Sequence, residues 1–425
     1  MGAVDEFGRA LLSEVGAPKG RVSTFTEVQL KDPDGKLSIP DGVAVVERGK
    51  TTWRCLIEVK TSGAPLKPEQ VNRYLDMARQ HNFDAVVTIS NQITNSPTEC
   101  PVDVDKRKTK SVALRHLSWW RIVTEAVVQH RHRGVSDPDQ AWILGELIAY
   151  MDHEASGAGG FQDMGEKWVG VRDGARDGTL RASGAGAREV AERWEQFVQY
   201  LSLGLSQDLG REVQVRRRRG NDVDASVKRL AEMGKLSASL RVPDAVGPIN
   251  VEADLRTRQV TTSVAVDAPQ EGRPLTRLNW MLRQLREAPD DLRMDVSFAN
   301  TRETSSALLR DVRNRPQAVL SQSDAKREPR SFTLALSRAM GTKRGKGERS
   351  FVRETRQQAV DFYRLLVQNL RAWQPPPPKL PDQPPEQKIP ETPVPEPPPF
   401  SVEEHKVGEA ADPADIISGQ VESGR

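Results

Sequence analysis

Apolar residues recur at spacings of three and four over residues 4–15. Val4, Phe7, Leu11 and Leu12 share one side and Gly16 ends the run, which predicts an amphipathic helix. Strand-type patterning follows at 23–30, 39–46 and 52–59, with D-P-D-G in the loop 31–36 as a turn signal. A helix is predicted at about 68–81: Pro68 suits its first turn, and Val71, Tyr74, Leu75 and Ala78 make its apolar face. The unbroken run A-V-V-T-I-S at 85–90 reads as a buried strand. A further strand at 112–117 and helices at 120–130 and 140–153 complete a unit whose element order predicts an α/β fold, a mixed sheet with helices on its faces.

Gly and Ser then thicken, at 155–160 and 181–187, and a boundary is placed near 155. Beyond it come a helix at 189–202, strands at 212–216, 236–242, 249–254 and 260–266, a helix at 275–287 and a strand at 293–299. A short helix near 305–312, a strand at 331–336 and a long helix at 351–373 follow. Residues 160–373 therefore read as α+β. From Gln374 proline is too dense for a core, so 374–425 is expected to be an extended, disordered tail, a linker more than a P-x-x-P ligand. The expected organisation is an α/β domain at 1–154, a basic α+β domain at 160–373 and this acidic tail. No fixed-period repeat runs through the chain.

A length of 425 residues fits two or three domains. The net charge of +3 is unevenly spread, at roughly −1 for 1–154, roughly +10 for 155–373 and roughly −6 for the tail. A basic middle suits contact with a polyanion. Two cysteines, Cys55 and Cys100, supply neither a disulfide framework nor a zinc cluster. The absence of a basic-apolar leader and of any run of about 18 apolar residues points to a cytoplasmic protein with no membrane contact.

The chemistry concentrates between Ile39 and Tyr74. Asp41 ends the turn into one strand, and Glu58 and Lys60 lie two apart at the end of the next, so they share a face. If the two strands pair as a hairpin, Asp41 comes near Glu58. Phosphodiester cleavage needs positive charge near phosphorus and a water losing its proton. Mg²⁺ or Mn²⁺ supplies both and takes hard oxygen ligands. Asp41, Glu58 and the Val59 carbonyl would be those ligands, with Lys60 assisting the attacking water.

Pro40-Asp41, Glu58-Val59-Lys60 and the downstream Gln70 and Tyr74, spaced Q-x-x-x-Y, resemble the PD-(D/E)xK nuclease superfamily, over residues 4–130. The Q-x-x-x-Y pair is similar to the RecB-like branch, and Glu6 to the leading glutamate of the Holliday-junction-resolvase-like branch, with Glu14 competing for that role. The resemblance implies a restriction-endonuclease-like fold, catalytic roles for Asp41, Glu58, Lys60, Gln70, Tyr74 and Glu6, and a nucleic-acid substrate, DNA ahead of RNA. The four-cysteine iron–sulfur cluster found in some of that family has no counterpart here.

Ordinary uses compete with each assignment. P-D-G is a common turn, and Glu58 with Lys60 could be a surface ion pair of little weight. Lys106, Arg107, Lys108 and Lys110, near the site, are candidates for phosphate contact; Arg216–Arg219 and Lys343, Arg344 and Lys346 are further candidates elsewhere in the chain, although charge runs often form solvated loops. Trp119, Trp120 and Trp194 fit core packing better than base stacking. The G-A-G-A at 184–187 reads as a helix start. The expected function is a metal-dependent nuclease. The rival reading is a silent nuclease fold that binds nucleic acid or serves as an interaction scaffold, with a protein partner possible through the C-terminal region.

Overall fold

The structure is a computed structural model, and it describes residues 1–161, 163–217, 222–321, 327–345 and 347–375. Arg218, Arg219, Lys346 and the tail from residue 376 lie outside the described residues.

Period-two patterning in the first part of the chain builds a five-stranded sheet. Helix α1 (Asp5–Glu14) leads into β1 (Arg21–Thr26), a two-residue ladder of β2 (Leu30–Lys31) and β3 (Leu37–Ser38), and then the hairpin β4 (Gly42–Arg48) and β5 (Thr51–Val59). Helix α2 (Pro68–Gln80) crosses to β6 (Ala85–Ser90), and β7 (Ala113–Ser118) follows. The order is β1-β4-β5-β6-β7. The first two pairings are antiparallel and the last two parallel. The register sets Ala44 opposite Cys55 and Val43 opposite Leu56. Alternate residues consequently feed two cores. Ala44, Cys55 and Val87 pack with Phe7 and Leu11 of α1 and with Ile122 and Ala126 of α3 (Trp119–Val128). Val43, Leu56 and Val86 pack with Val71, Tyr74 and Leu75 of α2. The sheet thus lies between helices on both faces, and α4 (Pro138–Asp152) adds Leu144 to the α1–α3 side.

Next come α5 (Trp168–Arg176), α6 (Ala185–Leu209), β8 (Gln214–Val215) and α7 (Asp222–Met233). They are followed by β9 (Lys235–Arg241), β10 (Ile249–Asp254), β11 (Gln259–Asp267) and α8 (Pro274–Gln284). The last stretch holds β12 (Arg293–Phe298), β13 (Thr304–Leu308), α9 (Leu309–Asn314), α10 (Pro316–Ser321), β14 (Pro329–Ala339) and α11 (Phe351–Leu365). Among the described residues, β8 to β14 form a seven-stranded antiparallel sheet in the order β13-β12-β14-β11-β10-β9-β8. Leu240, Val251, Val264 and Phe332 bury one face with Trp194 and Phe197 of α6, Met281 of α8 and Phe351 of α11. Both sheets belong to one compact unit, residues 1–374. Helices α3 and α6 join them: Trp120 Nε1 donates to Tyr200 O, and Gln207 Nε2 to Thr124 Oγ1.

Several elements differ from expectation. The short helix near 305–312 is strand β13 followed by α9. Arg293 to Ser297 on β12 pair with Leu308 to Thr304, so an available strand edge outweighs helical spacing there. The helix expected to reach residue 373 ends at Leu365, where Leu366 leaves helical dihedrals at φ −128°. Helices α5 and α7 have no counterpart among the expected elements, and α6 runs to Gly210, whose left-handed φ of 66° caps it. The glycine stretch at the expected boundary is bolted down: Gly157 O accepts from Asn91 Nδ2 at 2.8 Å and from Ser62 N at 3.2 Å. A Cβ on Gly160 would lie 2.9 Å from the Trp120 ring.

Candidate active site

The site forms where β4 begins and β5 ends. Gly42 pairs with Ile57, and continuing that register by one residue puts Asp41 opposite Glu58, on the sheet face that α2 covers. The Asp41 carboxylate reaches along β5 and accepts the Val59 amide at 2.7 Å. Lys60 leaves the ladder immediately after: its amide donates to Ile89 O at 2.8 Å, and its carbonyl accepts Trp119 Nε1 at 2.9 Å. Those two bonds fix the direction from which its ammonium meets Glu58.

Glu58 is the node. It is 2% exposed, so it is not a surface ion-pair residue. Its Oε1 accepts both the Lys60 ammonium and the Gln70 amide, the latter at 2.6 Å. A carboxylate this deep persists as an anion only with charge-assisted partners. Helix α2 delivers the rest, because Gln70 and Tyr74 are four apart and so lie on one side of it. Burial raises the Tyr74 phenol above its ordinary pKa, the Gln70 hydrogen bond opposes this, and the negative charges of Glu58 and then Asp41 raise it further. Tyr74 is therefore a neutral hydrogen-bonding group beside two carboxylates at physiological pH.

The structure thus gathers Asp41, Glu58, Lys60, Gln70 and Tyr74. Val59 enters through its amide, bonded to Asp41, while its side chain packs on the opposite core. Glu6 is elsewhere engaged: its carboxylate accepts the Ser136 amide at 3.2 Å, and backbone hydrogen bonds from Glu6 itself and Ser136 lower its pKa. Its competitor Glu14 is paired with Arg121 of α3. Neither glutamate bonds to the group around Glu58. Lys108 is tied to Asp76 at 2.6 Å, and Asp105 N to Asn72 at 3.0 Å. Asn72 and Asp76 lie on the side of α2 away from Gln70 and Tyr74, so the loop bearing exposed Lys106, Arg107 and Lys110 is anchored apart from the carboxylates.

Sequence reasoning missed Trp119 and Ile89, which aim Lys60 through main-chain atoms that carry no sequence signal. It also missed a cavity of about 960 Å³ at the carboxyl ends of β5 and β6, lined by Ser62, Gly63, Asn91 and Arg193 among others. The glycines at 157–160 that line it were its trace in the sequence. Trp194 is fully buried, as core packing requires.

None of Asp41, Glu58, Lys60, Gln70 and Tyr74 lines that cavity, but two carboxylates beside a lysine suit a hard cation that keeps several waters. Among the described residues no group of three His, Cys, Asp or Glu side chains converges, so any cation here would depend on Asp41 and Glu58. No protein-family model, curated protein or solved structure matches this chain.

Proposed function

We propose that the chain is a metal-dependent nuclease that hydrolyses phosphodiester bonds, with DNA as substrate. The observation that carries this is the convergence of Lys60, Gln70 and Tyr74 on the buried carboxylate of Glu58, with Asp41 held beside them on the amide of the next residue, Val59. A restriction-endonuclease-like reading of the first sheet is supported by its antiparallel hairpin followed by two parallel strands, with α2 crossing between them.

Asp41 and Glu58 would hold Mg²⁺ or Mn²⁺, which when bound lowers the pKa of a water and offsets negative charge on phosphorus. Lys60, whose ammonium meets Glu58, would stabilise the negative charge that develops on an attacking water as its proton passes to solvent. Gln70 fixes the rotamer of Glu58. Tyr74, kept protonated, supplies a hydrogen bond at the inner wall.

A silent fold that binds nucleic acid is the second reading. It is favoured by Glu58 Oε1 already taking two donors and Asp41 Oδ2 taking the Val59 amide. Incubation of the purified chain with plasmid and linear DNA separates the two. Cleavage should appear with Mg²⁺ or Mn²⁺ and vanish with EDTA. Glu58→Ala and Lys60→Ala should each abolish it while the folded circular dichroism spectrum is kept. Cleavage surviving both changes would remove the assignment, and binding without cleavage would favour the second reading.

A further inference from the structure

One row of residues crosses six strands of the antiparallel sheet on the face away from its core. The registers pair Arg293 with Ala335, Ala335 with Ser263, Ser263 with Asn250 and Asn250 with Ser239. Beyond β8 the ladder continues, since Arg216 N donates to Ser239 O at 2.7 Å. The row therefore begins and ends in arginine, with small or hydrogen-bonding side chains between. At about 4.8 Å per strand step, its ends are about 24 Å apart.

A cavity of about 370 Å³ opens along this row where it meets α6 and α7. Arg217 and Arg229 join Arg216 and Arg293 in lining it, against Glu195 and Glu252. Glu252 is held by Lys235 at 2.7 Å, Glu195 accepts from Ser226 at 2.9 Å, and Arg293 pairs with Asp295 at 3.1 Å. Among the described residues, neither Arg216 nor Arg229 has a carboxylate partner. Gathering the guanidinium groups of Arg216 and Arg217, just past β8, with that of Arg229 on α7 at one end of the row costs mutual repulsion, which an anionic ligand relieves. No aromatic side chain lines the cavity among the described residues, so base stacking is not its mode of recognition.

We infer that this row is a track for the phosphodiester backbone of a nucleic-acid strand. Guanidinium groups at its ends take phosphate oxygens, while Ser239, Asn250 and Ser263 hydrogen-bond the backbone between them. A length of about 24 Å matches about seven nucleotide steps of a B-form strand. Binding of this kind is independent of base sequence. The inference takes its choice of polyanion from the nuclease proposal, but it concerns binding alone.

The test uses the full chain in EDTA, so that cleavage plays no part, and fluorescein-labelled 30-nucleotide DNA, single-stranded and duplex, read by anisotropy over a salt series. Arg216→Glu/Arg293→Glu should weaken binding at least about tenfold and flatten the plot of log affinity against log salt by about 2, near 0.9 for each phosphate that is no longer neutralised. Arg216→Glu alone, at the sheet edge, should give part of this loss. Arg216→Lys/Arg293→Lys, which keeps the charge, should retain most of the affinity. Wild-type affinity in the doubly reversed variant, or an equal loss in the lysine variant, would overturn the inference. The two proposals fail separately. Arginine-dependent binding without metal-dependent cleavage sinks only the nuclease reading, and cleavage with arginine-independent binding sinks only the track.

Discussion

Gln70 donates its side-chain amide to Glu58 at 2.6 Å across 12 residues of sequence, linking the first turn of α2 to the end of β5. The bond makes the helix part of the site. It also divides the acceptor capacity of Glu58: one oxygen is committed to Gln70 and Lys60, and the carboxylate also meets the Tyr74 hydroxyl.

Replacing Glu58 by Gln preserves shape and removes the charge. Lys60 and Gln70 lose a charge-assisted acceptor, and Lys60, whose side chain is 24% exposed, is left without its partner. Destabilisation of about 1–3 kcal/mol by urea unfolding is expected, together with the end of metal-dependent cleavage. A loss of cleavage at unchanged stability would mean that the buried pair is weaker than its geometry implies.

Lys60→Met should separate binding from chemistry. Removing a cation beside Asp41 and Glu58 lifts repulsion against a divalent ion, so Mn²⁺ should bind several-fold more tightly by water-proton relaxation while DNA cleavage disappears. A purely structural lysine would weaken both.

Tyr74→Phe keeps the ring that packs in the α2 core and deletes the hydroxyl. Stability should change little at neutral pH and kcat should fall about tenfold, with KM for DNA unchanged. In the wild type the raised Tyr74 pKa contributes stability that is complete below about pH 10 and is lost as pH climbs through the higher folded value. The phenylalanine variant should lack that alkaline component.

How much of this could be read in advance divides along physical lines. The carboxylates, Lys60, Gln70 and Tyr74 were legible because period two and period 3.6 place side chains without knowledge of the tertiary fold. Ala85–Ser90 was found to the residue, since a strand buried on both sides is an unbroken apolar run. The Glu6 contact was not legible, because its engagement depends on where Ser136 lies, 130 residues away. Strand β13 was missed because T-S-S-A-L has no strong preference of its own and takes its state from β12. The arginine row was invisible for the same reason: it is a property of registers, set by pairings among distant segments.

On β7, beside Thr88 of β6, His116 tests the core rather than the chemistry. The ring is 1% exposed, its Nε2 donates to Gln92 O at 2.9 Å, and burial pushes its pKa down to about 4, against the Gln92 bond. The folded state thus favours the neutral ring. Its contribution is complete above the unfolded value near 6.5 and is lost as pH falls through about 4, up to about 3 kcal/mol. His116→Gln should remove that stretch of the acid stability profile. An identical profile in the variant would show that the ring carries its charge at no cost.

The most direct test is a Mn²⁺ titration of the full chain, comparing wild type with Asp41→Asn/Glu58→Gln by water-proton relaxation. Saturable binding in the wild type, absent from the double variant with the fold intact, is the expected result. Equal binding in both proteins, or none in either, would contradict a cation site built on Asp41 and Glu58.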